Sequence, residues 1–233
     1  MRVLGIGAHP DDLEILSGGT LARYAAEGHY VAMCHLTTGD KGSFVKGDED
    51  LATVRLKEAQ AAAAVIGAEH LSLGIPDTEV LSADRRQREL VADLVRQVRP
   101  DVIITHSPKD YIDHNETAKL AIEGSFMAIH PQRITKHPHY PVLTPLYFME
   151  TISGVNVLPS EFVDITEFMD TKLEMFSKHV SQHDYLAEVG FSSMKDQIIT
   201  TAKFRGHQSG VEYAEGFNQY HVALRGTTKR LLP

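Results

Sequence analysis

Three observations predict an α/β fold with a mainly parallel sheet covered on both faces. Short apolar runs such as Val3-Leu4-Gly5-Ile6-Gly7 alternate with longer stretches whose apolar residues recur at helical spacing. The short runs are continuously apolar, as strands buried on both faces are. The chain has 233 residues, 42% hydrophobic and 23% charged, which suits one domain (1–233) with a sizeable core. The architecture expected is a Rossmann-like three-layer sandwich.

Val3 to Gly7 is the first strand, and Leu13, Leu16, Leu21 and Tyr24 mark a helix running up to Gly28. Tyr30 to Thr37 is the second strand, followed by a loop from Thr38 to Phe44. Ala52 to Ile66 is an alanine-rich helix that Gly67 caps. His70 to Leu73 is a short strand leading into Gly74-Ile75-Pro76-Asp77, and Arg85 to Val98 is an amphipathic helix ended by Arg99-Pro100. Asp101 to Thr105 is the fourth strand. A loop from His106 to His114 and a helix from Asn115 to Ala128 follow it. Prolines make Pro131 to Pro145 irregular. Leu146 to Ile152 and Phe162 to Ile165 read as strands. Thr166 to Val180 reads as a helix with Phe168, Met169, Leu173 and Phe176 on one side. Gln197 to Phe204 is a last helix, Gly206 to Gly216 a loop, and Tyr220 to Leu224 an edge strand.

The formal net charge of -8 argues against nucleic acid or an anionic membrane as the main partner. Cys34 is the only cysteine, so there is neither a disulfide framework nor a thiolate zinc site; it reads as a small buried residue. The sequence opens in its first strand without a signal peptide, and no apolar run approaches a membrane span. A cytoplasmic enzyme or binding protein is expected.

The chemistry concentrates where strands hand over to helices. His9, Asp11 and Asp12 follow the first strand, and His106, Asp110, Asp113 and His114 follow the fourth. In a 3-2-1-4-5 strand order those two strands are neighbours at the switch point, where ligands bind. The plainer reading is helix capping, with Asp113 capping a helix that starts near Asn115. One Asp suffices for a cap, and two Asp plus a His exceed it. A dinucleotide site is disfavoured: Pro10 replaces the third glycine after Gly5-Ile6-Gly7, and paired aspartates would repel a pyrophosphate. A His, a carboxylate and a second His make three metal ligands with a position left open, and one carboxylate remains as a general base.

Ala8-His-Pro-Asp-Asp12, with Glu14 and Gly18-Gly-Thr20, resembles the opening motif of the LmbE-like, or PIG-L, zinc-dependent N-deacetylases. Asp110-Tyr-Ile-Asp-His114 lies where that family has His-Pro-Asp-His. The resemblance continues through Arg55, Glu58, Phe162-Val-Asp-Ile165, Lys172 and Ser181-Gln182 to Gly210-Val-Glu-Tyr-Ala-Glu-Gly-Phe217. It implies that His9, Asp12 and His114 hold zinc (Zn2+), that Asp11 is the general base and that Asp113 orients a ligand. Arg55 would reach the substrate. Its plainer reading is a solvated helix arginine. Tyr111 stands where the family has a helper histidine and would donate to the oxyanion, with His106, His207 and Tyr213 as lower-ranked helpers. Tyr213, in the glycine-flanked loop, would close over a bound substrate. The resemblance further implies a small-molecule N-acetylglucosamine-type conjugate as substrate and a homo-oligomer, often a hexamer in the family. The alternatives are hydrolysis of another amide, such as an antibiotic-sugar amide, and a non-catalytic sugar- or nucleotide-binding module. The spare carboxylate of Asp11 speaks against the latter.

Overall fold

The sheet grows outward from β1 (Arg2–Gly7), buried from Val3 onward. The computed structural model describes residues 1–45, 47–190, 193–223 and 231–233. β2 (Tyr30–Thr37) and β3 (Glu69–Ile75) run parallel to β1 on one side. β4 (Val102–Thr105) and β5 (Leu146–Met149) do so on the other. β7 (Ala214–Gln219) pairs antiparallel with β5, and β6 (Glu161–Asp164) antiparallel with β7, giving the order β3-β2-β1-β4-β5-β7-β6. The expected 3-2-1-4-5 core is present, extended by one reversed strand and an edge strand.

The helices are α1 (Asp12–Ala26), α2 (Asp48–Val65), α3 (Arg85–Val98), α4 (Ile112–Ala128), α5 (Met169–Ser177), α6 (Val180–Glu188) and α7 (Met194–Ser209). Two apolar clusters lie on opposite faces of the sheet. Val3 and Met33 join Leu13 of α1, Met175 of α5 and Ile198 of α7. Leu4, Ile6 and Cys34 join Val91 of α3 and Leu120 of α4. Neighbouring strand residues thus feed different faces, as period-two side-chain alternation requires. Gly5 keeps α1 close to the sheet, because a Cβ there would lie 3.1 Å from Leu13.

Several boundaries differ from the sequence-based expectations. α4 begins at Ile112, three residues early, with Asn115 N–H bonded to the Tyr111 carbonyl at 3.1 Å. Asp113 and His114 therefore sit in its first turn, and Asp113 is not its cap. The stretch Thr166 to Val180 splits into a 3-10 turn (Thr166–Phe168) and α5, and α6 follows as a separate helix. The expected loop from Gly206 to Gly216 is mostly regular structure. α7 runs to Ser209, Gly210 closes it in a left-handed conformation, and β7 starts at Ala214. Gly206 permits the sharp return, because a Cβ there would lie 2.4 Å from the Glu212 carbonyl oxygen. The last strand is β7, interior rather than an edge; of the expected Tyr220 to Leu224 strand, Tyr220 to Ala223 are not strand and Leu224 lies outside the described residues. Among the described residues no helix is long and apolar enough to cross a membrane.

Candidate active site

Register sets the height of the site. Val3 pairs with Val102 and Ile6 with Thr105, so β1 and β4 end side by side. The Thr105 hydroxyl donates to the Ile6 carbonyl at 2.9 Å, and the Ala8 N–H donates to His106 Nε2 at 3.0 Å. The two polar turns open into one cleft of about 230 Å³ at the carboxyl ends of the strands. Asp11 and Thr78, two non-glycine residues at positive φ (134° and 68°), both line it. Backbone held this way costs on the order of 1–3 kcal/mol per residue and clusters at functional sites.

Three donor atoms converge. His9 Nδ1 lies 3.2 Å from His114 Nε2 and 3.3 Å from Asp12 Oδ2, and Asp12 Oδ1 lies 3.1 Å from His114 Nε2. A tetrahedral zinc with bonds of about 2.0–2.1 Å separates its ligands by roughly 3.3 Å, so the spacing fits such an ion. The remaining ring nitrogens are occupied elsewhere. His9 Nε2 faces Asp77 at 3.1 Å and Asp113 at 3.4 Å, and His114 Nδ1 faces Asp110 at 3.0 Å. N–H donation to those carboxylates fixes the tautomers that aim lone pairs at the common point. Burial opposes charge on both rings. Asp12 and the other carboxylates more than offset it, holding His9 well above the usual histidine value and His114 at about 9. Burial likewise opposes charge on Asp12, and the surrounding imidazoles hold it well below the carboxylate range. Metal uptake at such a set displaces protons.

Asp11 sits beside this group, 5% exposed. Burial raises its carboxyl above the usual range, against the pull of Arg55 at 3.2 Å. Arg55 is buried, not solvated. It donates to the carbonyls of Gly39 and Pro10, strapping the β2 loop to the first turn. Asp113, 2% exposed, accepts the Thr78 N–H at 2.8 Å and touches His9 rather than its neighbour His114. Tyr111 is half exposed on the rim, its ring 4.3 Å from that of His114, and burial together with the nearby carboxylates of Asp12 and Asp11 raises its pKa, so that it stays protonated.

Three lower-ranked helpers are misplaced. Tyr213 lies beyond the cleft lining, packed on the α1-side core with its carbonyl accepting from Ile165 N–H at 3.0 Å; the loop meant to carry it is helix and strand. His106 is fully buried and accepts from Ala8. Burial, reinforced by the charge of His114, pushes it down to about 4, so it stays neutral behind the donors. His207 is an exposed residue of α7 outside the cleft.

Sequence reasoning missed Asp77, Lys41 and Gln182 in the lining and Asp110 as the partner of His114. Asp77 stood in plain sight after β3, yet no histidine near it in sequence hinted that it meets His9. Also missed was a buried chain behind α1: Glu14 lies 3.2 Å from His179 and 3.6 Å from His35, whose other nitrogen meets His70 at 3.3 Å. Glu58 takes the Ser181 N–H at 2.8 Å and hydroxyl at 2.6 Å, and Gln182 donates to the Gly42 carbonyl. These bonds hold α6 against the cleft.

Residues 4–124 match the PIG-L family model, described as GlcNAc-PI de-N-acetylase. Diacetylchitobiose deacetylase of Thermococcus kodakarensis is 30% identical over 229 residues, covering 92% of this chain and 81% of that one. The solved N,N'-diacetylchitobiose deacetylase of Pyrococcus horikoshii superposes with a TM-score of 0.82 at 28% identity, covering 94% and 83%. The 4-carboxy-2-hydroxymuconate hydratase GalB of Pseudomonas putida shares the fold, with a TM-score of 0.82 at 24% identity over 99% and 100%. The chain spans about half the length of several further relatives, deacetylases of 1D-myo-inositol 2-acetamido-2-deoxy-alpha-D-glucopyranoside. With more than half its length matched by the family model, the chain belongs to the PIG-L (LmbE-like) family.

Proposed function

We propose that this chain is a zinc-dependent hydrolase that removes the N-acetyl group from an N-acetylglucosamine-type conjugate. The observation that carries the reading is the convergence of His9 Nδ1, an Asp12 carboxylate oxygen and His114 Nε2, with Asp11 alongside as an unused buried carboxylate. Zinc held there supplies an acidified water and a polarised amide carbonyl.

The chain's own groups do the rest. Asp11, raised by burial toward the working range of a general base, takes the proton of the attacking water. Arg55 keeps that carboxylate in place from 3.2 Å. As the C–N bond breaks, Asp11 returns the proton to the departing amine, leaving acetate and the free amino sugar. Tyr111, protonated on the rim, donates to the developing oxyanion. Asp113 and Asp77 fix the His9 ring, and Asp110 fixes His114. Asp77 and Arg55 also face the cleft, where they accept from and donate to sugar hydroxyls. The enzyme works as one domain, in the cytoplasm, as a homo-oligomer acting on a small molecule.

Acetate release is the test. Zinc-loaded protein is expected to liberate acetate and a primary amine in equal amounts from N-acetylglucosaminyl glycosides, and not from simple anilides. No release from any such sugar, with turnover of another amide, would transfer the reading to that bond.

A further inference from the structure

α6 forms one wall of the cleft, yet little apolar surface seats it. Val180 and Val189 at its ends are 64% and 43% exposed, and Leu186 is only partly buried. Among the described residues, the buried side chains of this segment are polar: His179, which precedes α6, at 0% and Gln182 at 2%. Polar groups buried in this way must be paired, so their pairing sets where the helix lies. At the front, Gln182 donates to the Gly42 carbonyl at 3.2 Å, and Glu58 holds Ser181. At the back stands Glu14, fully buried in the first turn of α1, two residues beyond Asp12. Positions two apart on a helix diverge by about 200°, so its side chain leaves α1 on the side away from the donor atoms. There Glu14 Oε1 lies 3.2 Å from His179 Nε2, and Oε2 lies 3.6 Å from His35 Nε2. No hydrogen bond from any other group reaches either oxygen among the described residues. His35 lies two residues before the end of β2, ahead of the loop that carries Lys41 and Gly42 into the cleft. One carboxylate behind Asp11 and Asp12 thus anchors the backs of two cleft walls.

Resting on the deacetylase reading above, we propose that Glu14 is a positioning residue: paired with His179, it fixes α6 so that Gln182 and Tyr185 meet the bound sugar. Glu14 is absent from the cleft lining and contacts none of His9, Asp12 and His114, so it acts through α6 alone. Contacts between α6 and a sugar are shared by ground and transition states, so loosening the wall falls on KM rather than kcat. Breaking a buried charged pair corresponds to a factor of roughly ten or more. The two partners act as one unit, so removing both costs no more than removing either.

Glu14→Gln, His179→Gln and the double variant test this in zinc-loaded protein, with the methyl β-glycoside of N-acetylglucosamine as probe. The amide keeps the shape of Glu14 without its charge. Each single variant is expected to raise KM at least about tenfold, keep kcat within about threefold and retain its zinc. The double variant should match the worse single one within about twofold. Hydrogen exchange gives a readout free of substrate. Amides of α6 should exchange at least about tenfold faster in either single variant, while those of β1 and β4 keep their rates. Two variants guard against one failing to fold. An unchanged KM, a loss carried by kcat, unchanged α6 exchange, effects that multiply in the double variant, or zinc lost from folded Glu14→Gln overturns the proposal and leaves the deacetylase reading standing. If the wild-type protein does not hydrolyse the probe, that reading falls, and exchange decides the seating of α6 alone. Faster exchange in the variants supports it. Equal exchange overturns it.

Discussion

Two buried ionic clusters flank α1, and they are built on opposite principles. On one side Glu215 accepts from Lys172 at 2.5 Å and from the N–H groups of Gly19 and Thr20 at 2.9 and 2.8 Å, while Glu150 accepts from Arg205 at 2.8 and 2.6 Å. Each of these carboxylates meets a cation and donors within the chain. On the other side Asp11, Asp12, Asp77, Asp110 and Asp113 crowd two imidazoles, and the ring nitrogens not held by Asp77, Asp110 and Asp113 (His9 Nδ1 and His114 Nε2) face each other at 3.2 Å with an Asp12 oxygen beside each. A closed cluster of buried charges is scaffold. A cluster whose lone pairs converge asks for a cation from outside.

The strongest way to break this contrast is to remove a converging donor. His114→Ala is expected to abolish both zinc retention and hydrolysis, whereas Asp11→Asn should keep zinc and lower the rate on the order of 10²- to 10⁴-fold. Metal analysis beside steady-state kinetics checks both; zinc retained at full occupancy in His114→Ala would remove that residue from the donor set. The closed cluster should respond in the opposite sense. Lys172→Met leaves Glu215 buried without its cation and should cost about 3–5 kcal/mol in denaturant unfolding while the folded variant keeps its zinc. A smaller effect sharpens the rim. Tyr111→Phe should lower kcat roughly 10²- to 10³-fold with little change in KM if its hydroxyl meets the oxyanion. An unchanged kcat would reduce Tyr111 to a packing contact on His114.

Much of this was legible in the sequence, for reasons of period and position. Unbroken apolar runs placed β1, β2 and β4, and their order brought His9 and His114 together from 105 positions apart. What escaped was set by tertiary contacts that leave no local pattern. α4 starts three residues early because Tyr111 and Ile112 continue into its first turn, which moved Asp113 from cap to ring partner of His9. Glycines at 206, 210 and 216 suggested a loop, yet Gly206 and Gly216 are small because backbone and Pro159 press on them, and only Gly210 terminates a helix. That misreading put Tyr213 over the cleft, whose lining it does not join. Glu14, quoted only as part of a motif, is a fully buried carboxylate held low, against burial, by His179 and His35, and nothing near it in sequence announced either partner.

Zinc titrated into chelator-stripped protein, followed by calorimetry at pH 6.5 and 8.5, tests the contrast most directly. Without metal, His9 and His114 hold protons because their folded values are raised. His114 therefore stabilises the fold fully below its unfolded value near 6.5 and loses that contribution as pH rises through about 9. Zinc competes with those protons, so binding should release them and tighten as the pH rises. The account predicts one zinc per chain, weaker at pH 6.5 than at 8.5 and lost in His9→Ala. A protein that takes up no zinc, or binds it equally well in His9→Ala, would contradict it.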